Sequence, residues 1–389
     1  MRLNRLYVEN LRNHVRTDWA PAARVNVLTG RNGAGKTSLL EGISLCTLAR
    51  SFVANQDVAL VRRGSDSMRA RVEAESEYGA PRRIDFSYAE ESGKRIALDG
   101  SSPGPASRVI GALPTVVLFP DLKAITGGPP THRRRFLDLV LSQAKRKYLE
   151  DLMVYRRLLK QRNAMLGRAR REGRRLDPQA LEAWDEGLID RGSRIMVERA
   201  DFVRSFAPIL RSTAAEVALD EEVDIVYEPD GIDAIGTSIN DVRDALWYRS
   251  KSVAAKEARR GTTMFGPHRD EISMTVNGGD VRTSASQGQH KTLLIGLKIA
   301  EFHYLKEESA ETPIILLDDI FGDLDPERAE RVFDRCRELA QIFITAVSID
   351  MLGFLRERKF GSGEQHMSVV DGVLTEPARS PHLRIAGGL

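Results

Sequence analysis

The chain has 389 residues, 42% of them hydrophobic and 29% charged, with a formal net charge of +3. That length exceeds what one hydrophobic core usually serves, so two lobes are expected, and the composition excludes a disordered chain. No apolar run approaches the roughly 18 residues of a membrane span, and Met1 to Leu11 lacks the apolar core of a signal peptide.

In chain order, Leu6 to Val8 and Val25 to Thr29 read as short strands, the second running into a Gly-rich turn. Thr37 to Leu48 then carries apolar residues at helical spacing, at Leu40, Ile43, Leu45 and Leu48. Ile84 to Tyr88 and Arg95 to Leu98 look like hairpin strands, the latter followed by the turn pair Asp99-Gly100. Val116 to Phe119 is a short buried strand stopped by Pro120. From Pro130 to about Leu219 the texture is helical, broken by a polar turn at Gly173 to Pro178. Strand-like sequence returns at Val223 to Tyr227 and Ile272 to Val276. Gln289 to Leu305 reads as an amphipathic helix, Ile314 to Leu317 as a buried strand, Pro326 to Leu339 as a helix and Ile342 to Val347 as a strand. The pattern is an α/β lobe interrupted by a helical insertion, divided at 1–122, 123–255 and 256–389. Two cysteines, Cys46 and Cys336, stand far apart in no metal-like spacing, which suits buried thiols in a reducing cytoplasm.

Gly30-Arg31-Asn32-Gly33-Ala34-Gly35-Lys36-Thr37 matches G-x-x-x-x-G-K-[ST] and sits between a strand and a helix. Glycines let backbone N–H groups converge on phosphate oxygens without a Cβ in the way. Lys36 offers a charge to the β and γ phosphates, Thr37 offers a hydroxyl to Mg²⁺, and the helix N-terminus adds its dipole. A chance match in a chain this long is about a 1% event at average glycine usage, which sets aside an ordinary Gly-rich turn. ATP with Mg²⁺ is the expected ligand.

Pro313 to Asp319 is a buried strand that ends in two acids. Asp318 is expected to hold Mg²⁺ and Asp319 to polarise the attacking water. Taken alone, the segment is also consistent with a strand end capped by acids. Upstream by one long helix and a strand lies Ser286-Gln287-Gly288-Gln289, where ABC-type ATPases carry their signature. Ser286, the Gly288 backbone and Gln289 then form a γ-phosphate site at a helix N-terminus, facing the ATP of a second subunit. A plain N-cap is the alternative for the tetrapeptide in isolation.

At this point the sequence strongly resembles the RecF recombination and repair family, nearly end to end. The resemblance rests on the P-loop with Leu39-Leu40-Glu41, on Ala49-Arg50-Ser51-Phe52, and on Phe119-Pro120-Asp121-Leu122 with Arg133 to Asp138. It rests further on Tyr155 to Asn163 and on Gly266-Pro267-His268-Arg269-Asp270. The resemblance implies an ABC/SMC-type P-loop ATPase head with an inserted helical arm lobe. It also implies ATP-dependent homodimerisation on single- and double-stranded DNA at gaps or junctions, and weak ATPase activity. The implied role is gap and stalled-fork repair and SOS induction, with RecO and RecR loading RecA. Three departures from transporter ATPases stand out: Asp319 where they carry Glu, Thr345 and Ser348 in place of a switch histidine, and Pro120-Asp121 in place of a Q-loop glutamine. They disfavour a transporter motor and leave the catalytic base open.

From Thr131 to Arg175, 15 Lys or Arg face 4 Asp or Glu, a local +11 that leaves −8 for the rest. Arg133, Arg134, Arg135, Lys145 and Arg146 are the expected contacts to DNA phosphates. Aromatics are few in this stretch, which favours backbone contact with duplex or junction over base stacking. A solvated helical face, or an acidic protein partner, is the competing account. His268 with Asp270 imitates a catalytic pair, but no nucleophile motif accompanies it and a structural role is expected. A small-molecule kinase has no use for the signature segment, and no clustered acidic site suggests a nuclease.

Overall fold

A computed structural model of the chain describes residues 1–174, 178–217, 221–232, 238–356 and 360–376. The expected turn before Pro178 and the helix end at Leu219 lie partly outside the described residues.

Strands β1 (Arg2–Leu11), β2 (His14–Trp19) and β3 (Val25–Thr29) precede helix α1 (Lys36–Thr47). Strands β4 (Ser67–Glu75), β5 (Pro81–Ala89), β6 (Gly93–Leu98) and β7 (Thr115–Leu118) follow. Helices α2 (Lys123–Gly127), α3 (Pro130–Ala144), α4 (Arg146–Arg171) and α5 (Pro178–Val217) come next. Then run β8 (Val223–Glu228), α6 (Ile239–Arg260), β9 (Glu271–Val276), β10 (Gly279–Asp280), α7 (Val281–Ser284) and α8 (Gln287–Ser309). The last described elements are β11 (Ile314–Asp318), α9 (Pro326–Leu339), β12 (Ile342–Ala346), α10 (Gly353–Arg356), β13 (Glu364–Val370) and β14 (Val373–Thr375).

These elements form two compact units, one of residues 1–106 with 314–389 and one of residues 107–313. The boundaries differ from the expected 122/123 and 255/256, chiefly because α8 is buried against α3 and α5 and so joins the insertion.

The first unit contains an antiparallel sheet in the order β2-β1-β4-β5-β6. In β1 the buried positions are Leu3, Leu6, Val8 and Leu11. A register shift at Leu3/Arg5 and a positive φ of 51° at Asn10 reset the alternation, so that these four still share the inner face. Helix α1 packs there closely: a Cβ on Gly42 would come within 2.8 Å of Val8 Cγ1. The unit's second sheet runs β14-β13-β3-β12-β11, with β13, β3, β12 and β11 parallel. Its central strands are buried on both faces, as covered parallel strands must be. Cys46 and Cys336 are both buried thiols here, and burial pushes Cys336 up to about 12.

In the second unit α4 and α5 form a long helical pair, α5 alone having 40 residues. Helix α8 differs from the expected amphipathic one, being buried on nearly all sides from Thr292 to Leu305. Its Gly296 lies against Ala214 of α5, where a Cβ would meet that residue at 3.3 Å. No helix among the described residues is long and apolar enough to cross a membrane.

Candidate functional site

Because β3, β12 and β11 are parallel, their C-terminal ends fall on one edge of the sheet. Thr345 pairs with Asp318 on one side and with Leu28 on the other. The loop after β3 therefore opens beside the acids that end β11, the position where parallel sheets hold ligands. Gly30 has φ 154°, and a Cβ on it would lie 2.2 Å from the Val369 carbonyl oxygen, so no other residue fits. Gly35, with φ 111°, leads directly into α1.

The Lys36 ammonium folds over this loop and donates to the carbonyls of Gly30 (2.6 Å) and Arg31 (3.0 Å). Burial holds it below its usual pKa, against the pull of Asp319 and Asp318. The Thr37 hydroxyl donates to the Asp318 carboxylate at 2.8 Å, and so does Thr345 at 2.8 Å. Burial pushes the Asp318 carboxyl above its usual range, the two hydroxyls opposing that shift and the charges of Asp319 and Glu41 adding to it. Asp319 is exposed, with φ 51°, and its N–H donates to Thr345 Oγ1 at 3.0 Å. Thr345, near the end of β12, thus ties the two acids to each other.

The loop is also held from outside by residues that belong to none of the motifs above. Asn13 Nδ2 donates to the Gly33 carbonyl at 3.0 Å. His14, fully buried, lies 2.9 Å from the Gly35 carbonyl and 2.9 Å from Thr17 Oγ1, and burial lowers its pKa. From the other side the Gly372 N–H donates to the Ala34 carbonyl at 2.9 Å. Asp371-Gly372 is the turn pair that signals a hairpin, and could have pointed to β13 and β14. Within the resembling segments, Glu41 accepts from Arg12 (3.1 Å) and Ser51 (2.6 Å), which pins the Ala49 to Phe52 turn to α1.

The residues present fit a nucleotide triphosphate with a hard divalent cation. A Cβ on Gly33 would meet nothing within 4 Å, and Arg31, Asn32 and Gly33 lie exposed on the loop. Thr37 and Asp318 are oxygen ligands of the kind Mg²⁺ takes together with phosphate and water.

In the second unit Ser286 caps α8 in a reciprocal capping box: its Oγ accepts from Gln289 N–H at 3.2 Å while Gln289 Oε1 accepts from Ser286 N–H at 2.8 Å. The N-cap account of these two residues therefore holds, and it leaves the Ser286 hydroxyl hydrogen free to donate. Gly288 is different. It has no positive φ, and a Cβ on it would meet nothing closer than Ser286 Oγ at 3.7 Å. Nothing among the described residues requires glycine there.

Of the expected DNA contacts, Arg133 needs correction. Arg133 is 2% exposed, bound through two nitrogens to Glu271 at 2.9 Å and to the Gly128 carbonyl at 2.7 Å, so it cannot reach a phosphate. Arg134 is half-buried and donates to the Asp270 carbonyl at 2.6 Å. Lys145 is paired with Glu198 at 2.8 Å, and Arg146 binds Glu150 at 3.1 Å and the Ser107 carbonyl. Arg135 is exposed. The exposed side of α4 also carries a basic stripe, formed by Arg157, Lys160, Arg168 and Arg171, of which Arg168 pairs with Glu172 at 2.7 Å.

The two arm motifs meet in buried ionic networks. Arg199 donates to Asp138 (2.8 Å), Asp270 (3.2 Å) and the Pro267 carbonyl (2.7 Å), and Tyr148 and Tyr227 close on the same carboxylates. Arg162 joins Asp185 and Glu257, each at 2.7 Å, and Asn163 holds Thr263. His268 lies 2.6 Å from Tyr155 OH and 3.3 Å from the Thr263 carbonyl, a structural placement with no nucleophile beside it.

Comparison with known proteins agrees with this geometry. The RecF/RecN/SMC N terminal domain family matches residues 2–362. A DNA replication and repair protein RecF of Chlorobium phaeovibrioides is 35% identical over 90% of this chain and 94% of its own. One of Chloroherpeton thalassium is 34% identical over 96% and 100%. Among solved structures, the recombination mediator protein RecF with ATP in the RecFOR pathway superposes with a TM-score of 0.88 at 28% identity, covering 97% of this chain and 98% of that one. An SMC head bound to the C-winged helix domain of ScpA, at 10% identity and a TM-score of 0.54 over 96% of each chain, shares the fold.

Proposed function

The chain belongs to the RecF family within the RecF/RecN/SMC group, and from that premise we propose that it is an ATP-gated switch that closes as a homodimer on DNA. The observation that carries this reading is the exposed Gly288 at the capped N-terminus of α8. Ser286, Gln287 and Gly288 are exposed at the start of α8, a 23-residue helix, and no described residue requires the glycine. A helix N-terminus with an open backbone attracts a phosphate approaching from outside. The γ-phosphate held by a second copy is that group.

In each copy Lys36 leaves the loop carbonyls for the phosphates, and the P-loop N–H groups orient them. Thr37 and Asp318 hold Mg²⁺, which when bound supplies charge stabilisation to the phosphoryl oxygens. Asp319, exposed at the end of β11, positions water, and the buried Thr345 holds its backbone N–H. A carboxylate one methylene shorter than glutamate reaches water less well, which suits slow hydrolysis used to reopen the dimer. DNA phosphates are met by Arg135 and by the α4 stripe, in place of the buried Arg133. The solved relative acts in the RecFOR pathway. By that likeness the partners here are RecO- and RecR-type mediators, and the roles are RecA loading at gaps and junctions and SOS induction in the cytoplasm. Sedimentation with and without ATP, each with and without DNA, tests the reading. A monomer under all four conditions overturns it.

A further inference from the structure

On the side of the arm away from the basic stripe lies a groove of about 660 Å³ between α4, α5 and α6, within the roughly 300–1,000 Å³ typical of ligand sites. Its floor is apolar: Leu166 and Ala169 from α4, Leu181 from α5, and Trp247, Ala254 and Ala258 from α6. Trp247 is half-buried, whereas Ala254 and Ala258 are exposed, so the floor is open to solvent. The positions on α6 follow a helical period and present small side chains that let a guest helix approach closely.

The charge around the groove is one-sided. Of its carboxylates, Asp185 and Glu257 are both taken by the buried Arg162 at 2.7 Å. Glu182 is the remaining one among the described lining residues. Against it stand Arg174, Lys251 and Arg259. Arg174 approaches Glu172 only at 3.8 Å, a carboxylate that already accepts from Arg168 at 2.7 Å. Arg259 donates to the Ala255 carbonyl of its own helix at 3.3 Å, and Lys251 makes no ion pair among the described residues. An apolar floor with a half-open indole and a cationic rim is complementary to a helix with Leu-type anchors on one face and carboxylates beside them.

We propose that this groove docks an acidic amphipathic helix of a protein partner. The floor argues against nucleic acid, because its Leu and Ala surfaces offer no donors to phosphate and Trp247 is its single aromatic ring. On α4, Arg162, Leu166 and Ala169 face the groove, while Arg157, Lys160, Arg168 and Arg171 fall on other sides of the helix at 100° per residue. Docking here and DNA binding on the stripe are therefore separable by mutation.

The test uses the full chain and two labelled helical peptides with Leu at heptad a and d positions, one carrying Glu and the other Lys elsewhere, read by fluorescence anisotropy. The Glu peptide is expected to bind. Ala254→Trp, which fills the floor from an exposed position, and the exposed pair Lys251→Glu with Arg259→Glu should each weaken it by about tenfold or more. DNA affinity should be unchanged in both variants. No binding of the Glu peptide, equal binding of the Lys peptide, or an affinity indifferent to both variants overturns the proposal. So does loss of binding to a single-stranded oligonucleotide in Ala254→Trp, which assigns the groove to nucleic acid.

Discussion

At the scale of single residues, function rests on side chains that take one partner without ligand and another with it. Lys36 is the clearest case, since its ammonium donates to two loop carbonyls that cannot move with it. Lys36→Ala should cost about 1.5–3 kcal/mol of ATP affinity, the worth of a hydrogen bond to a charged group, or roughly a 10- to 100-fold weaker Kd for a fluorescent ATP analogue. His268 shows the opposite behaviour. Burial lowers its pKa to about 4, with only the Thr263 carbonyl pulling the other way among its larger influences. Its folded pKa lies below the unfolded value of about 6.5, so the unfolded chain binds the extra proton first. Its contribution is therefore fully present above pH 6.5 and is lost as pH falls towards 4, by about 3 kcal/mol in all. Buried Asp270 and Asp318 are shifted upwards and act in the other direction. The measurement is accordingly the difference in urea stability between wild type and His268→Gln from pH 7 to pH 4.5, which should shrink as the pH drops.

Among elements, α4 turns its cations in two directions. Arg162 points inwards into an ionic network, and Arg157, Lys160, Arg168 and Arg171 point outwards. Replacing the four outward cations with Ala should reduce the slope of log K against log salt for duplex DNA by about 0.9 for each phosphate no longer neutralised, with ATP binding intact. A slope equal to wild type would move the DNA path to another surface. The inward networks are a matter of folding. Arg199→Met leaves Asp138 and Asp270 buried without their shared cation, at a cost of about 3–5 kcal/mol. Arg199→Lys should recover little of it, because one ammonium cannot serve both carboxylates, Tyr148 and the Pro267 carbonyl together. Denaturant midpoints of the three proteins check this.

For the molecule as a whole, the reading turns on two copies. In the proposed dimer, Ser286→Arg places a long cation at the site assigned to the partner's γ-phosphate, and removes the N-cap, which by itself costs about 1 kcal/mol. ATP binding to the monomer should survive, since Ser286 lies outside the P-loop, while ATP-dependent dimers should disappear in sedimentation. Ser286→Thr keeps the cap and should dimerise. A Ser286→Arg variant that dimerises normally would remove the signature from the interface.

The chemistry of the nucleotide site was legible in the sequence because it depends on residue types in short, contiguous order. Gly30 to Thr37 announces itself by spacing alone, Asp318-Asp319 and Ser286 to Gln289 take their reading from their order relative to it, and most of the strands and helices follow from local periodicity. Two kinds of fact were decided only by tertiary structure. One is which residues far apart in sequence close on the site: Asn13, His14 and Gly372 hold the P-loop through single hydrogen bonds that leave no periodic trace. The other is the fate of each charge. Arg133, Arg134 and Arg135 are consecutive on one helix, and at 100° per residue they point in three directions, to Glu271, to the Asp270 carbonyl and to solvent. A run of like charges records how much charge a segment carries, and only packing determines which of it reaches water.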